Sequence, residues 1–298
     1  MLDIHRLRLL RELDRRGTLA AVARALSYSP SAISQQLTQL ESETGVTLLE
    51  HVGRGVRLTE QALILVRHTD AILERLELAE ADLAASMTDV TGTVRVASFQ
   101  SVMLALVPAA LSLLAERHPD LRVEITHREA ESAFAGLLAH DFDLVLGEEY
   151  PGQTQPRSPG MDEQNLALDE IRMAVPADGP WSRARLAELA EAPFIFDPHD
   201  LAPGRWARNT CRDAGFEPDV RIESGDLLLQ MRLVETGHAV AFVPDLLWTD
   251  RSPGALQLHH LPGRPRRRLF TGVRSGAALR PGIRAFREAL QAGIRARG

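Results

Sequence analysis

Apolar residues recur at helical spacing in three short stretches near the amino terminus. These stretches cover residues 4–13, 19–26 and 33–40, and each places its apolar side chains three or four positions apart. Thr18 and Ser29 precede the second and third stretches, and both are residue types that cap helix N termini. The pattern therefore predicts three helices within the first 45 residues, with a three-residue turn between the second and the third.

The third predicted helix has a face made of hydroxyls and amides. Pro30 stands at its first position, where a missing N–H has no consequence. A helical wheel places a set of uncharged polar residues away from Ile33: Ser31, Gln35, Thr38, Ser42 and, on the flank, Ser34. Such side chains both donate and accept hydrogen bonds, which suits contact with DNA base edges by the second helix of a helix-turn-helix. A small solvated helix is the alternative for this segment taken alone.

Residues 50–59, EHVGRGVRLT, have the pattern of a short β-ribbon. Gly53 and Gly55 mark its tip, and Arg54 and Arg57 are placed to touch phosphates. Residues 1–58 contain eight arginines against six acidic residues, whereas the whole chain has a net charge of −6. Positive charge is thus concentrated in the segment that would lie on DNA. We expect residues 1–58 to be an all-α winged helix-turn-helix domain whose DNA contacts include Thr18.

Residues 58–83 carry an apolar repeat with alternating spacings of four and three, interrupted only by Thr69. This heptad pattern predicts a long linker helix over residues 59–89 that pairs with a second copy of the chain. An amphipathic helix that packs on its own domain is the alternative. The residues expected in the dimer seam are Leu58, Leu65, Ile72, Leu76 and Leu83.

Beyond residue 90, short strands alternate with helices. The order β-α-β-α-β, with one helix over residues 101–119, predicts a parallel sheet covered by helices. A loop over residues 151–160 leads to a second α/β set, in which residues 183–192 are expected to be helical.

Residues 90–298 should accordingly form an α/β domain of two lobes. The first lobe is predicted to comprise about residues 90–163 and 268–298, and the second about residues 164–267. Chain crossings near residues 160–168 and 262–270 would join the lobes and leave a cleft between them.

Polar residues follow several of the predicted strands in this region. Because ligands of parallel sheets bind beyond the carboxyl ends of the strands, these residues are candidates for a small-molecule site. Each one alone is more typical of loop capping, and only the set indicates a small-molecule site. The candidates are Ser98, Gln100, Ser101, Thr126, Arg128, Glu148, Asp197, His199, Ser224 and Asp226. Glu148 with Glu149 would suit an amine, and the helix start at Ser101 a carboxylate, a combination that suggests an amino acid.

Support for catalysis or metal binding is weak. The chain contains no G-x-S-x-G, phosphate-binding glycine loop or H-E-x-x-H sequence. The pair His259–His260 is more typical of a surface turn than of a metal site. The run Arg264–Arg268 is more typical of a solvated crossover between the lobes than of a contact with an anion. We expect neither an enzyme nor a protein with a cofactor or metal.

The remaining composition bears on compartment. Cys211 is the only cysteine, so an intramolecular disulfide is impossible. The amino terminus lacks a signal-peptide core, and the longest nearly apolar run, residues 102–115, is too short to span a bilayer. These features favour a cytoplasmic protein without a membrane partner.

The whole chain resembles the LysR-type transcriptional regulators. The most specific portion is TLAAVARALSYSPSAISQQLTQLESETGVTLLEHVGRGVRLT, residues 18–59. LVPAALSLLAERHPDLRVEI and LVETGHAVAFVP carry a looser resemblance to the family's two-lobed, periplasmic-binding-protein-like (type 2) domain. In the family pattern Pro30, Ser31, Ser34 and Gln35 would read bases, and Arg54 and Arg57 would lie in the wing. His51 replaces the usual arginine and Ala62 the usual glycine.

The resemblance implies a regulator that binds double-stranded DNA at inverted-repeat promoter sites as a homodimer or, more often, a homotetramer. A small-molecule effector between the lobes would change the angle of the DNA-binding heads, and RNA polymerase would be a further partner. The competing hypothesis is a cytosolic solute-binding protein whose front helices only dimerise. The resemblance leaves open the effector, the target genes and the sign of regulation.

Overall fold

The computed structural model describes residues 2–26, 28–53, 55–86, 89–153, 160–248 and 254–296. The chain divides into two compact units, Met1–Ser86 and Met87–Gly298. Within the described residues, none of the helices is both long enough and apolar enough to cross a bilayer.

The first unit contains three helices, a β-ribbon and a long helix, as the sequence pattern predicts. Its elements are α1 (Ile4–Arg16), α2 (Leu19–Leu26), α3 (Pro30–Thr44), β1 (Leu49–Val52), β2 (Gly55–Leu58) and α4 (Glu60–Ala85). β1 and β2 pair antiparallel, with Val52 opposite Gly55.

Local sequence sets the limits of α3. The Ser29 hydroxyl accepts from the Ala32 amide at 3.2 Å, Pro30 occupies the first turn, and Gly45 ends the helix with a φ of 69°. That left-handed conformation is easy only for glycine. The apolar stripe Ile33, Leu37 and Leu40 is completely buried in the core of this unit.

Two polar contacts fix the elements around α3. One oxygen of Glu41 accepts from the amides of Leu48 at 2.7 Å and Leu49 at 3.0 Å, which holds the start of the ribbon against α3. Arg11, buried on α1, donates from Nε to Asp70 on α4 at 2.7 Å. The wing and the long helix are therefore both tied to the three-helix core.

The long helix α4 has two different halves. In its first half Ala62, Val66 and Thr69 are buried against the core of the unit, and the Thr69 hydroxyl donates to the Leu65 carbonyl at 2.7 Å. In its second half the apolar residues Ile72 and Leu76 are exposed. The first half thus matches the alternative of a helix packed on its own domain, whereas the second half, in which Ala81 is buried, leaves Ile72 and Leu76 uncovered.

The second unit is an α/β structure. Its elements are β3 (Gly92–Ser98), α5 (Gln100–Ala105), α6 (Val107–Arg117), β4 (Leu121–His127), α7 (Ala130–Leu138), β5 (Leu144–Glu149), β6 (Met161–Pro176), β7 (Pro193–Phe196), α8 (Ala202–Asp213), β8 (Asp219–Glu223), α9 (Leu227–Glu235), β9 (Ala241–Pro244), β10 (Leu256–His260), β11 (Arg266–Arg274) and α10 (Pro281–Arg295).

The main sheet has seven strands in the order β10-β6-β11-β5-β3-β4, with β9 also paired to β6. β3 pairs parallel with both β4 and β5, as the β-α-β-α-β order predicts. β11 runs antiparallel to β5 and β6, and β6 runs antiparallel to β9 and β10. β7 and β8 form a separate parallel pair. The result is a mixed, two-lobed architecture.

Strand β6 extends through both lobes. Its first part, up to Glu170, pairs with β11, and its remainder, from Ile171, pairs with β9 and β10. The register with β11 shifts between Leu269 and Phe270, which marks a bulge. The first lobe is built on β3, β4 and β5, and the second on β7, β8 and β9. The crossing expected near residues 160–168 is therefore continuous strand rather than loop.

Three local predictions are wrong. The expected helix over residues 101–119 breaks at Leu106 into α5 and α6, because Pro108 lacks the N–H that a continuous helix needs. Residues 183–192 contain only a single 3₁₀ turn, Leu186–Glu188, despite their helical spacing. His259 and His260 belong to strand β10 rather than to a surface turn.

Candidate functional site

The predicted DNA-reading residues share one exposed face of α3. Because Ile33, Leu37 and Leu40 fill the core, the opposite side of the helix faces solvent. The exposed residues on that side and its flank are Pro30, Ser31, Ser34, Gln35 and Thr38. The Ser31 hydroxyl lies 3.0 Å from that of Ser29. This surface presents hydroxyl and amide groups without a charged side chain among them.

The other predicted DNA contacts lie at the ends of neighbouring elements. Thr18 is exposed, and its hydroxyl accepts from the Ala21 amide at 3.1 Å, so it caps α2. Arg57 projects from β2 with 71% of its side chain exposed and an ion pair to Glu50 at 2.7 Å. Arg54 lies outside the described residues.

The predicted seam residues occupy two environments. Leu58 and Leu65 are half-buried against the core of their own unit. Ile72, Leu76 and Leu83 are exposed by 39%, 44% and 70% on the second half of α4. Exposed leucine and isoleucine at these spacings leave an apolar stripe that a second copy of the chain could cover.

The second unit contains a cleft between its two lobes. Its empty volume, including the mouth open to solvent, is about 600 Å³. The β3–α5 junction and the end of β5 form one wall, and the end of β7 with α8 and the start of α9 form the other. A cleft between two lobes at the ends of strands is typical of small-molecule sites.

A buried guanidinium lies at the floor of the cleft. Arg267, on β11, is only 2% exposed. Its Nη2 donates to Asp169 at 2.7 Å and to the Ser101 hydroxyl at 2.8 Å, and its Nη1 donates to Glu148 at 2.6 Å. Asp169 is its direct cross-strand neighbour on β6. Two buried carboxylates thus surround one cation.

Burial and these carboxylates shift the pKa values of Arg267 and Tyr150 at the floor of the cleft. Burial alone would lower the pKa of Arg267, but Asp169, Tyr150 and Glu148 raise it above its ordinary value. Burial, with the nearby Glu148 charge, raises the pKa of Tyr150 well above 10, against the opposing effect of Arg267. Arg267 therefore stays charged and Tyr150 stays a neutral phenol.

Asp197 follows β7 and lines the cleft from the second lobe. Its Oδ2 accepts from Gln230 Nε2 at 3.2 Å, and no cation pairs with its carboxylate among the described residues. Burial raises the pKa of Asp197 to about 7, the Gln230 hydrogen bond opposes this, and the charges of Glu148 and Glu129 add to it. Gly204 lets α8 approach this loop, because a Cβ there would overlap the carbonyl oxygens of Asp197 and Pro198.

A polar clasp joins the two lobes beside the cleft. Gln100, at the start of α5, donates to Asp226 Oδ1 at 2.9 Å and accepts from the Leu227 amide at 2.7 Å. Asp226 also caps α9 by accepting from the Leu228 amide at 2.9 Å. One amide side chain of the first lobe thus completes the helix cap of the second.

Of the ten predicted effector residues, the structure places Gln100, Ser101, Glu148 and Asp197 on the cleft. The other six are not part of its lining. Ser98 is buried within β3, and Thr126 is half-buried in β4. The remaining four make contacts elsewhere. Arg128 donates to the His127 carbonyl, and His199 lies near Glu223. Ser224 accepts from the Asp226 amide, and Asp226 belongs to the clasp.

Arg267 and most of the aromatic lining were missed from the sequence. The run Arg264–Arg268 is not a solvated crossover, because Arg267 is buried and belongs to β11. The sequence signal that could have found Arg267 is its position two residues before the fully buried Leu269, because residues two apart on a strand lie on the same face. Glu149 faces away from Glu148 and pairs with Arg268 at 2.8 Å, so it is not a second cleft carboxylate.

Two further features bear on metal ligation and on thiol chemistry in the part of the chain that the structure describes. No group of three or more histidine, cysteine, aspartate or glutamate residues there could hold a metal ion. Cys211 is buried in α8, and burial raises the pKa of its thiol to about 12. A thiol with that pKa is unreactive at neutral pH.

Comparison with known proteins matches both units to one family. Residues 4–63 match the model for the bacterial regulatory helix-turn-helix protein, lysR family, and residues 88–295 match the LysR substrate binding domain. The transcriptional dual regulator GltC of Bacillus subtilis (strain 168) is 25% identical over 255 residues, which cover 85% of this chain and 84% of GltC.

Solved structures show the same fold. Full-length OxyR from Pseudomonas aeruginosa, solved as a point variant, has a TM-score of 0.69 at 17% identity, covering 98% of each chain. Full-length CbnR, solved in complex with its target DNA, has a TM-score of 0.54 at 23% identity, covering 97% of this chain and 99% of CbnR. With both units matched, this chain belongs to the LysR family of bacterial transcriptional regulators.

Proposed function

We propose that this regulator reads promoter DNA with α3 and that a small molecule in the interlobe cleft modulates this binding. The observation that supports the first part is the exposed face of α3, whose polar residues lie opposite a fully buried stripe of Ile33, Leu37 and Leu40. The N-terminal part of such a helix can enter the major groove, where Ser34 and Gln35 can pair with base edges.

Phosphate contacts belong to the wing in this proposal. Arg57 is largely exposed, and its partner Glu50 is an exposed surface residue, so the ion pair contributes little and can be exchanged for a phosphate. Arg54 is assigned the same role from the sequence. The solved complex of CbnR with its target DNA supports a DNA-bound state for a protein of this fold.

Self-association follows from the second half of α4. Ile72, Leu76 and Leu83 form an apolar stripe that pairing of two copies would remove from water. A two-fold dimer would read an inverted repeat, because protein symmetry and half-site symmetry correspond. The proposed assembly is a homodimer or homotetramer in the cytoplasm, with RNA polymerase as a further partner.

The cleft supplies the regulatory part of the proposal. It is lined from both lobes, so a bound molecule would favour one lobe arrangement over another and shift the population of DNA-binding states. Arg267, Glu148 and Asp169 are engaged in a structural ion cluster, and the described residues include no group of three side chains that could hold a metal ion. We therefore assign it a binding role rather than a catalytic one.

Gel shifts test the DNA assignment directly. The full chain is titrated onto DNA from around its own coding region and onto scrambled DNA at several salt concentrations. Ser34→Ala and Gln35→Ala should each lower the preference for the specific site by about 1–3 kcal/mol. Arg57→Ala should weaken binding to both DNAs alike and reduce the salt dependence.

Ser42→Ala is the matched control, because Ser42 is exposed on the same helix about 12 Å further from Ser34 along its axis. It should leave the preference unchanged. Site preference that survives both Ser34→Ala and Gln35→Ala would remove α3 as the reading element. A chain that binds small molecules but no DNA at low salt would instead be a solute-binding protein.

A further inference from the structure

The positive charge that lines the cleft is already neutralised by carboxylates of the protein. Arg267 is the one basic side chain among the described residues that line it. Its guanidinium donates to Asp169, Glu148 and Ser101, so its charge is shared by two carboxylates before any ligand arrives. The Ser101 hydroxyl, which the sequence suggested for a ligand carboxylate, accepts one of these hydrogen bonds. An anionic ligand would therefore have to compete with carboxylates that are built into the floor.

Among the described residues around the cleft, acidic side chains outnumber basic ones. Asp197 uses Oδ2 for Gln230, a neutral partner, and no basic side chain among the described residues pairs with its carboxylate. Glu148 on β5 and Glu129 ahead of α7 lie close enough for their charges to act on it. Asp197 adds an acidic group to a floor that already has two carboxylates for one guanidinium. The field in the cleft thus favours a positive charge next to Asp197.

Aromatic side chains form much of the remaining wall. The chain contains only 14 of them, from nine Phe, three Trp and two Tyr. Five line this cleft: Phe99, Tyr150, Phe196, Trp206 and Phe242. Tyr150 lies 5.6 Å from Trp206 between ring centroids, and Trp206 lies 5.9 Å from Phe242. Arg267 already lies over the Phe99 ring at 5.6 Å and Arg208 over the Phe196 ring at 5.9 Å, so Tyr150, Trp206 and Phe242 supply the aromatic surface for a ligand.

We propose that the cleft binds an organic cation, namely a protonated or quaternary amine with an apolar body, whose positive group lies against Asp197 and the aromatic wall. Carboxylates and ring faces are the two surfaces that attract an ammonium group, and both are present here. A bare metal ion is disfavoured, because the described residues supply no cluster of three ligands. The inference rests on the proposed regulatory role of the same cleft.

The protonation of Asp197 gives the proposal a pH signature. Because the pKa of Asp197 is about 7, the carboxyl is mostly neutral at pH 6 and mostly ionised at pH 8. A cation binds only the ionised form well, so its affinity should be about tenfold weaker at pH 6 than at pH 8. Arg267 stays charged throughout, and the ligand stays cationic, so neither reverses this direction.

The test compares three ligands of one shape on the full-length protein. Benzylamine, benzyl alcohol and benzoate are titrated by isothermal calorimetry or NMR at pH 6 and pH 8, with thermal shift as a second readout. Asp197→Asn is the test variant, because an amide replaces the carboxyl at nearly the same size. Asp219→Asn is the matched control, because Asp219 is an exposed acidic residue of the same lobe that pairs with Arg221 at the surface.

The expected result is tightest binding of benzylamine and weakest binding of benzoate, separated by at least about tenfold at pH 8. Asp197→Asn should abolish this preference and its pH dependence, and Asp219→Asn should keep both. Equal affinities, a preference for benzoate, no response to any probe, or an unchanged preference in Asp197→Asn would each overturn the proposal.

Gel shifts on the same preparations separate this inference from the proposed function. Retained specific DNA binding together with a preference for benzoate would reject the cation and leave the regulator intact. Loss of DNA binding in the wild type would reject the regulator whatever the ligand result. Far-UV circular dichroism and retained DNA binding of Asp197→Asn show that the variant is folded.

Discussion

Replacement of Arg267 by methionine removes the cation from the floor of the cleft while keeping most of the side-chain volume. Arg267 is 2% exposed, and the side chains of Asp169 and Glu148 are 4% and 8% exposed. Removal of one partner from a buried ion cluster costs about 3–5 kcal/mol, because it leaves uncompensated buried charge. For a unit of this length, that lowers the Tm by about 6–20 °C.

The loss of stability caused by Arg267→Met should increase as the pH rises from acidic to neutral. Burial already raises the pKa of Asp169 in the folded protein, and the charge of Arg267 opposes this, so loss of Arg267 should raise that pKa further. A group with a raised folded pKa favours folding when it is protonated and opposes it as pH rises. The difference in stability between wild type and Arg267→Met should therefore be smallest near about pH 4 and largest near neutrality. Adding Glu148→Gln to the variant should restore part of the loss, because a neutral amide replaces an unpaired charge.

Urea unfolding followed by circular dichroism, at pH 4.5, 6 and 8, measures these differences. Arg266→Met is the control, because Arg266 is exposed on the same strand, and it should change stability by less than about 0.5 kcal/mol. A deficit below about 1 kcal/mol at pH 8, or one equal at all three pH values, would refute the assignment of Arg267 as the neutralising charge of the floor.

Three further predictions concern other contacts. Gln100→Ala removes both hydrogen bonds of the interlobe clasp. It should therefore speed hydrogen exchange at the start of α9 by about tenfold, as measured by mass spectrometry. Unchanged exchange would show that the clasp does not hold the lobes together. Arg11→Met should destabilise the first unit by about 1–3 kcal/mol in urea, because it removes a buried donor of Asp70, and a loss below about 0.5 kcal/mol would contradict this. Cys211, whose pKa burial raises to about 12, should resist a thiol reagent in the native protein but react once urea unfolds it, and rapid native labelling would contradict its burial.

The local features of the first unit could be predicted because neighbouring residues determine them. Ser29 caps α3, Pro30 fits its first turn, and Ile33 defines the buried face, all within five positions. Prediction from local spacing fails where tertiary contacts or a single residue determine the secondary structure. Pro108 interrupts a pattern that is otherwise helical, and the spacing of residues 183–192 is helical in a segment that forms only one 3₁₀ turn.

The cleft was predictable only in part, for a physical reason. Gln100, Ser101, Glu148 and Asp197 were found because they follow strands, and strand ends converge in a sheet of this type. Arg267 comes from a distant antiparallel strand that the parallel pattern does not include. The aromatic wall is assembled from separate elements, so no local spacing reveals it.

The continuity of β6 and its pairing with β11 limit how the lobes can move. A pair of hydrogen-bonded strands bends and twists far less freely than a loop, so a swing of one lobe must arise as torsion within this ribbon. The pairing of β6 changes from β11 to β9 and β10 between Glu170 and Ile171, so torsion is expected there, and the pair Arg267 and Asp169 lies directly beside this change. A ligand in the cleft, which Arg267 and Ile171 line, would thus act within a few residues of the pivot, where a small rotation produces the largest displacement at the far ends of both lobes.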